Sequence, residues 1–547
     1  MRLDRLGSAH ATRLSFMRQL LRRMRDEAWE VTRAKLDIDA QGVGTALYSA
    51  VGPDRAYTLV AFAHDLPDDQ RSDRVIATAW DATFTLYDGV PGESEIARLR
   101  ANVPHQEAGR VSGRELTLSR ANKSMRLWDH VVGALASGRQ PEPERVDAVG
   151  YLMRTTAVYG SGKFGAADHA AVAHRPECAA PFQLEMLTVY LIRCFVMDLV
   201  EHMARARAPD KAVPLDPALR RRLGIGNSTG LGMAPFLINH PDLLNAWIGA
   251  REGALARIRS LNDTVPSKRV ELTRLVARAI QNAQNWQSGH AVQKAKLADL
   301  RDDLIRLSQH LRKADLQNNR PWNRLWLWSE SALTNEGQEQ LLALMLELYP
   351  ELVHDLCAFM AANESTTFAI DGAMSRAKLL DILRETYGWA LTTDWTAPEA
   401  QEKIWYVSEA KQEPRLGLRN DEDLIDYEQP LGIGQAAAQL FEALTESAHE
   451  TAAGFLLTHP EHRHMIRRAQ RAAHMPYAEI HDNTLGHTLR PMDMLRLKLS
   501  FFGATHFDPR SDRWVRITMF RDAPFPEDLQ SEAADDWTLP PLPIAAQ

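Results

Sequence analysis

From Trp29 to Asp88 the chain alternates apolar and polar positions in short runs: "GTALYSAV", the turn Gly52-Pro53-Asp54-Arg55, "AYTLVAFAH", a polar link and "RVIATAWDATFTLY". A side-chain period of two, bounded by turn residues, predicts an antiparallel meander of about three or four strands. After about Gly92 the apolar residues recur at helical spacing, and they do so to about His474. The pattern predicts helices over 114–136, 181–206, 241–261, 268–287, 290–313, 335–362, 375–387 and 435–457. Ser288 and Gly289 separate two long polar-rich stretches, which predicts a helical hairpin over 268–313 standing against the body.

Both ends of the chain depart from this body. At the start, Leu14, Met17, Leu21, Met24 and Ala28 form an apolar stripe flanked by Arg2, Arg5, Arg13, Arg18, Arg22, Arg23 and Arg25. Asp4, Asp26 and Glu27 and the direct run into a strand favour a surface helix over a transit peptide or a membrane-surface helix. At the other end "LRLKLSFFGATHF" and "RWVRITMF" flank a turn at Asp508-Pro509-Arg510. Alternation of Leu495, Leu497 and Leu499 with Arg496 and Lys498 predicts a half-buried strand of a hairpin. The chain thus divides into an amphipathic helix (1–28), a β-meander (29–92), a helical body (93–475), a β-hairpin region (476–525) and an acidic, proline-rich, loosely held tail (526–547). The expected class is α+β, predominantly α-helical.

Composition narrows the function classes. Of 547 residues 45% are hydrophobic and 25% charged, which excludes a mainly disordered chain. Cys178, Cys194 and Cys357 are too scattered for a disulfide framework or a zinc motif, so a reducing, cytoplasmic setting is expected. Net charge is -7, and the six acids after Arg521 account for all but about -1 of it, so no nucleic-acid surface is expected. Glu185, Arg193 and Asp198 interrupt the most apolar stretch, which leaves no membrane span.

Two glycine-rich strings carry candidate chemistry. Tyr159-Gly160-Ser161-Gly162-Lys163-Phe164-Gly165 has Ala157 and Phe164 where a P-loop needs Gly and Ser or Thr, and no strand is evident before it. What remains is a backbone free to approach a ligand, with Ser161 and Lys163 as contacts. "GIGNSTGLGMAPF" frames Asn227, Ser228 and Thr229 with Gly224, Gly226, Gly230 and Gly232 ahead of a helical stretch. Backbone amides and short polar side chains at a helix start form a cradle for phosphate or carboxylate; the alternative is a helix cap with tight packing.

A third cluster sets Lys411, Glu413 and Arg415 on one face of an extended segment, as an acid or base beside an anion clamp. Among the C-terminal histidines, His481 (oriented by Asp482) and His487 are candidate acid/base groups. Their spacing fits no zinc motif, so no metal and no other cofactor is expected. Trp322, Trp326 and Trp328 pack a helix. "LGIG" at Leu223 and Leu431, and "FLINHP" at Phe236 against "FLLTHP" at Phe455, raise an internal repeat that the strings alone do not decide.

The expectation is an enzyme for a small anionic metabolite, lyase or hydrolase in type, whose four segments gather around one cleft. The rival is a noncatalytic helical protein that binds a ligand or partner through the 268–313 hairpin. Substrate, reaction and homo-oligomerisation lie beyond the pattern.

Overall fold

The computed structural model describes residues 5, 10–67, 79–105, 112–159, 172, 174–178, 182–230, 241–262, 265–317, 319–360, 368–398, 400, 405–408, 414–416, 428–477, 491–504, 506–510, 514–531 and 537–539. In chain order it holds α1 (Phe16–Asp26), β1 (Glu30–Ile38), β2 (Gly44–Val51), β3 (Ala56–Ala63), β4 (Ala82–Asp88), α2 (Glu93–Asn102), β5 (Glu115–Lys123), α3 (Trp128–Ala136), α4 (Pro143–Val149) and β6 (Tyr151–Tyr159). Then come α5 (Gln183–Arg207), α6 (Pro217–Arg222), β7 (Gly224–Gly230), α7 (Pro241–Arg259), α8 (Pro266–Asn285), α9 (Ala291–Lys313), α10 (Pro321–Ala332), α11 (Asn335–Leu348) and α12 (Arg376–Leu391). The rest are β8 (Trp405–Ser408), β9 (Pro414–Leu416), β10 (Glu428–Leu431), α13 (Ile433–Glu446), α14 (Ala452–Thr458), α15 (Arg463–His474), α16 (Pro491–Phe502), β11 (His506–Pro509) and β12 (Trp514–Met519).

Two compact units share the chain: a larger one of 7–229, 254–358 and 499–547, and a smaller one of 1–6, 230–253 and 359–498. In the larger unit a sheet runs in the order β1-β2-β3-β4-β5-β6-β7-β12-β11. The N-terminal meander is there, antiparallel from β1 to β4, and it continues through β5 and β6. Each face of this sheet has its own helix. On one face Phe195 of α5 meets Tyr48 and Phe84 edge-on at 6.3 and 5.5 Å. On the other, Ile96 and Leu99 of α2 close with Val103 over Leu47, Val60, Phe62, Tyr87 and Leu118. Each such apolar side chain contributes about 1.5–3 kcal/mol when fully buried.

The α8/α9 hairpin forms as expected and packs on α11. The tryptophans of α10 pack too: Trp322 donates to the Tyr349 hydroxyl at 2.8 Å, and Trp328 stacks on His310 at 3.8 Å. In the smaller unit Leu379, Leu383 and Tyr387 of α12 pack with Leu440 of α13, Phe455 of α14 and Ile466 of α15. β10, β8 and β9 form a separate small sheet there.

Several expectations are corrected. Within the 93–475 body, β5, β6 and β7 are strands. The helix expected over 114–136 is β5 followed by α3, because "ELTLSRANK" alternates apolar and polar positions and pairs with β4. The C-terminal hairpin exists as β11 and β12, but Leu495–Leu499 belongs to the helix α16. There Arg496 is as buried as Leu497 and Leu499, so its polarity does not mark a solvent side.

α1 is not a surface helix. Arg18 is 1% exposed and ion-pairs with Glu347, which also pairs with Arg13 at 2.9 Å. The tail is not loose in its described part: Leu529, Trp537 and Leu539 are buried, and Glu527 pairs with Arg220 at 2.5 Å. "LGIG" is strand at Gly224–Gly226 but opens a helix at Gly432–Gly434, so this pair of strings is not a structural repeat; "FLINHP" lies largely outside the described residues.

Candidate functional site

β6 and β7 run parallel, with Tyr151 opposite Gly224, Arg154 opposite Gly226 and Thr155 opposite Asn227. A hairpin cannot join parallel strands; the chain must return to its starting end, and α5 carries it back. The result is a β6–α5–β7 crossover whose first strand ends at Tyr159, immediately before the glycine-rich string. No strand was expected there; the aromatic and β-branched residues of "YLMRTTAVY" were the signal that could have found it.

Register identifies what else lies at this end of the sheet. Tyr159 is opposite Leu118 of β5, Thr117 is opposite Leu86 of β4, and Asp88 is opposite Tyr57 of β3. The hydroxyls of Thr117 and Thr188 are 2.8 Å apart, so the second turn of α5 sits at this level. Phe195 contacts Phe84, nearer the opposite end, so α5 runs away from this end and its first turn, with Glu185, lies at it. The positive end of a helix dipole 25 residues long therefore lies at the carboxyl end of β6. Phe182 precedes it at φ 58° and makes no side-chain cap hydrogen bond.

The segment leading into α5 is tied to the same end. Arg175 donates to both carboxylate oxygens of Asp88, at 3.1 and 2.8 Å, and to the Tyr57 hydroxyl at 3.4 Å. Tyr57 donates to Oε1 of Glu177 at 2.5 Å, and Sγ of Cys178 lies 3.8 Å from the same hydroxyl. Burial pushes the Cys178 thiol up to about 12, so at neutral pH it is a thiol and not a nucleophile. Glu185 shares the sheet-facing stripe of Thr188, Ile192 and Phe195 and is 5% exposed. Among the described residues no cation meets it. Burial raises its carboxyl to about 8 against the opposing hydrogen bond from its own backbone, so it keeps its proton at neutral pH.

The sequence candidates fare unevenly. Asn227, expected in a loop ahead of a helix, lies inside β7 beside Thr155; it is 6% exposed and its Oδ1 has no partner among the described residues. Two of its framing glycines are explained by packing. A Cβ on Gly226 would come within 2.6 Å of the Tyr151 ring, and one on Gly224 would collide with the Met519 carbonyl. Ser228 and Thr229 are the next residues of β7, up to its end at Gly230. Arg415 falls in β9 opposite Tyr406. Ser161, Lys163, Lys411, Glu413, His481 and His487 lie outside the described residues. Ser161, Lys163, Asn227, Ser228 and Thr229 belong to the larger unit, and Lys411, Glu413, Arg415, His481 and His487 to the smaller. Sequence reasoning passed over Tyr57, Arg175 and Glu177, took Cys178 only as one of three scattered cysteines, and took Glu185 only as an interruption of an apolar run.

Among the described residues no helix is long and apolar enough to cross a membrane. No protein-family model, curated protein or solved structure matches the chain.

Proposed function

We propose that this chain is an enzyme for a small metabolite bearing a carboxylate or phosphate, held at the carboxyl end of the β6/β7 pair and transformed by acid/base chemistry of the lyase or hydrolase type. The observation that carries the reading is the crossover itself: a glycine-rich string follows the first of two parallel strands, and the start of a long buried helix stands at the same end. Ligands of open sheets bind outside the carboxyl ends of parallel strands, where amides and the helix dipole favour negative charge.

Ser161 and Lys163 follow the end of β6 by two and four positions, and Ser228 and Thr229 are the last residues before Gly230 closes β7. They supply a hydroxyl set and one cation for an anionic group. Asn227 lies deeper in β7 and is proposed only as a support for these contacts.

The test begins with a thermal-shift screen of the wild-type chain against phosphate and carboxylate compounds, followed by calorimetric titration of the best binder into Lys163→Ala and Ser161→Ala. The expected result is at least about a tenfold loss of affinity in Lys163→Ala, about 1.4 kcal/mol, with the melting temperature unchanged. A parallel fall in melting temperature would make the string structural, and the absence of any binder would overturn the reading. Turnover of the binder separates an enzyme from a protein that only binds.

A further inference from the structure

The crossover site lies at the Tyr57 end of β3. At the other end of that strand, around Phe62 and His64, is a separate cavity of about 430 Å³. Small-molecule sites typically enclose about 300–1,000 Å³. Register lays one row across its wall: Asp37 of β1 is opposite Thr45 of β2, and Thr45 is opposite Phe62 of β3. Side chains in such a row share a face, and this is the face α2 covers, since Phe62 packs with Ile96 and Leu99. Arg100, in the last turn of α2, reaches the row and donates to the Thr45 hydroxyl at 3.0 Å.

The walls carry opposite charges that do not cancel. In the same helix Arg98 takes Glu115 at 2.6 Å. Arg100 meets no carboxylate among the described residues, although Asp37 and Asp39 line its cavity. Thr45 engages one guanidinium nitrogen, and the others meet no acceptor among the described residues. Asp39 is fixed in place: its Oδ1 accepts from the backbone of Gln41 and Val43, each at 2.9 Å, and its carbonyl is 2.9 Å from Nε2 of His202 on α5. Among the described residues Asp37 meets only Lys35, at 3.8 Å. His64 sets its Nε2 3.0 Å from the Thr83 hydroxyl, and burial lowers its pKa against the pull of Asp81, so it adds no charge at neutral pH.

Two carboxylates, one guanidinium and the apolar ring of Phe62 are the complement of a molecule with one carboxylate, two ammonium groups and a methylene chain between them. We propose that this cavity binds a basic amino acid, whose α-carboxylate pairs with Arg100 beside the Thr45 hydroxyl and whose ammonium groups pair with Asp37 and Asp39. The site is built from β1, β2, the end of β3 and α2, and it does not depend on the crossover reading.

The full-length chain is titrated by calorimetry at neutral pH with L-lysine, with norleucine, which lacks the side-chain ammonium, and with 1,5-diaminopentane, which lacks the carboxylate. L-Lysine should bind at least about tenfold more tightly than either. Arg100→Gln should lose about tenfold or more in L-lysine affinity and leave 1,5-diaminopentane unchanged, whereas Asp37→Asn should weaken both. Both variants change exposed side chains, so the melting temperature should hold. If either fails to fold, L-lysine-induced NMR shifts of the Thr45 and His64 signals in the wild type decide alone. Absence of L-lysine binding, a norleucine affinity equal to that of L-lysine, an Arg100→Gln variant that binds L-lysine as the wild type does or weakens both amines alike, or shifts confined to other parts of the chain would each overturn the assignment.

Discussion

The antiparallel meander β1–β5 and the β6–α5–β7 crossover share one sheet and one covering helix, yet they treat buried polarity in opposite ways. In the meander, several polar groups are closed locally: Thr58 donates to the Gly89 carbonyl at 2.7 Å, Thr85 to that of Thr117 at 2.8 Å, and Glu115 receives Arg98. In the crossover, Glu185 has no cation and the Asn227 oxygen no donor among the described residues. Antiparallel neighbours follow each other closely in sequence, so complementary groups are brought together by register alone. The crossover joins strands about 70 residues apart through a helix, and buried polarity left open there is where a ligand is to be sought.

The sharpest test of this contrast is the sign of removing an acid. The Glu185 carboxyl is raised in the folded state, from 4.5 to about 8. The folded chain therefore keeps a proton that the unfolded chain releases, and the associated stability is complete below about pH 4.5 and lost as pH rises through about 8. Urea unfolding of the wild type should lose of order 4 kcal/mol over that window, and Glu185→Gln should lack this limb and be the more stable protein at high pH. Parallel pH dependence in the two proteins would break the contrast. Arg98→Met should act in the opposite direction, costing roughly 3 kcal/mol in the same assay, because it takes the cation from Glu115.

On the acid side, burial holds His10 near about 4 and His506 near about 3. Both bases charge more readily when unfolded, so their stability is present above the ordinary histidine pKa and is lost as pH falls through about 4. Histidine proton NMR should show neither ring titrating above about pH 5, and acid unfolding should draw roughly 3 kcal/mol from His10 and roughly 5 kcal/mol from His506. Gly226→Val sharpens the packing side of the comparison. Its new side chain meets the Tyr151 ring, and a loss of roughly 2 kcal/mol with a disturbed β6/β7 pairing is expected from thermal unfolding and amide exchange. The smallest effect belongs to the meander: Thr85→Val should cost about 1 kcal/mol or less, since a single neutral hydrogen bond is lost.

The meander was legible because its strands are short, alternating and punctuated by turn residues such as Gly52-Pro53. The crossover was not. β6 is buried along Tyr151–Thr155 with Arg154 included, and Arg496 lies buried within α16, so in neither place does polarity report which side faces water. The glycines of "GIGNSTG" were read as freedom for a ligand, whereas Gly224 and Gly226 make room for the Met519 backbone and the Tyr151 ring. Ser161 and Lys163 were read from the glycine-rich string alone and lie outside the described residues. Glu185 could have been found as well, since a single acid in the first turn of an otherwise apolar helix is a visible anomaly, but only the register showed which end of the sheet it occupies.

The buried α1 helix carries a consequence for how the chain is made. Arg13 and Arg18 find their common partner Glu347 only after 334 and 329 further residues have been added. At about 5–20 residues per second, synthesis takes roughly 15–70 s to span that interval. During this time an arginine-rich amphipathic segment has been released without the acid that will neutralise it. The order of translation thus leaves the first helix among the last to be seated, and a nascent chain halted before Glu347 would present it to any acidic surface nearby.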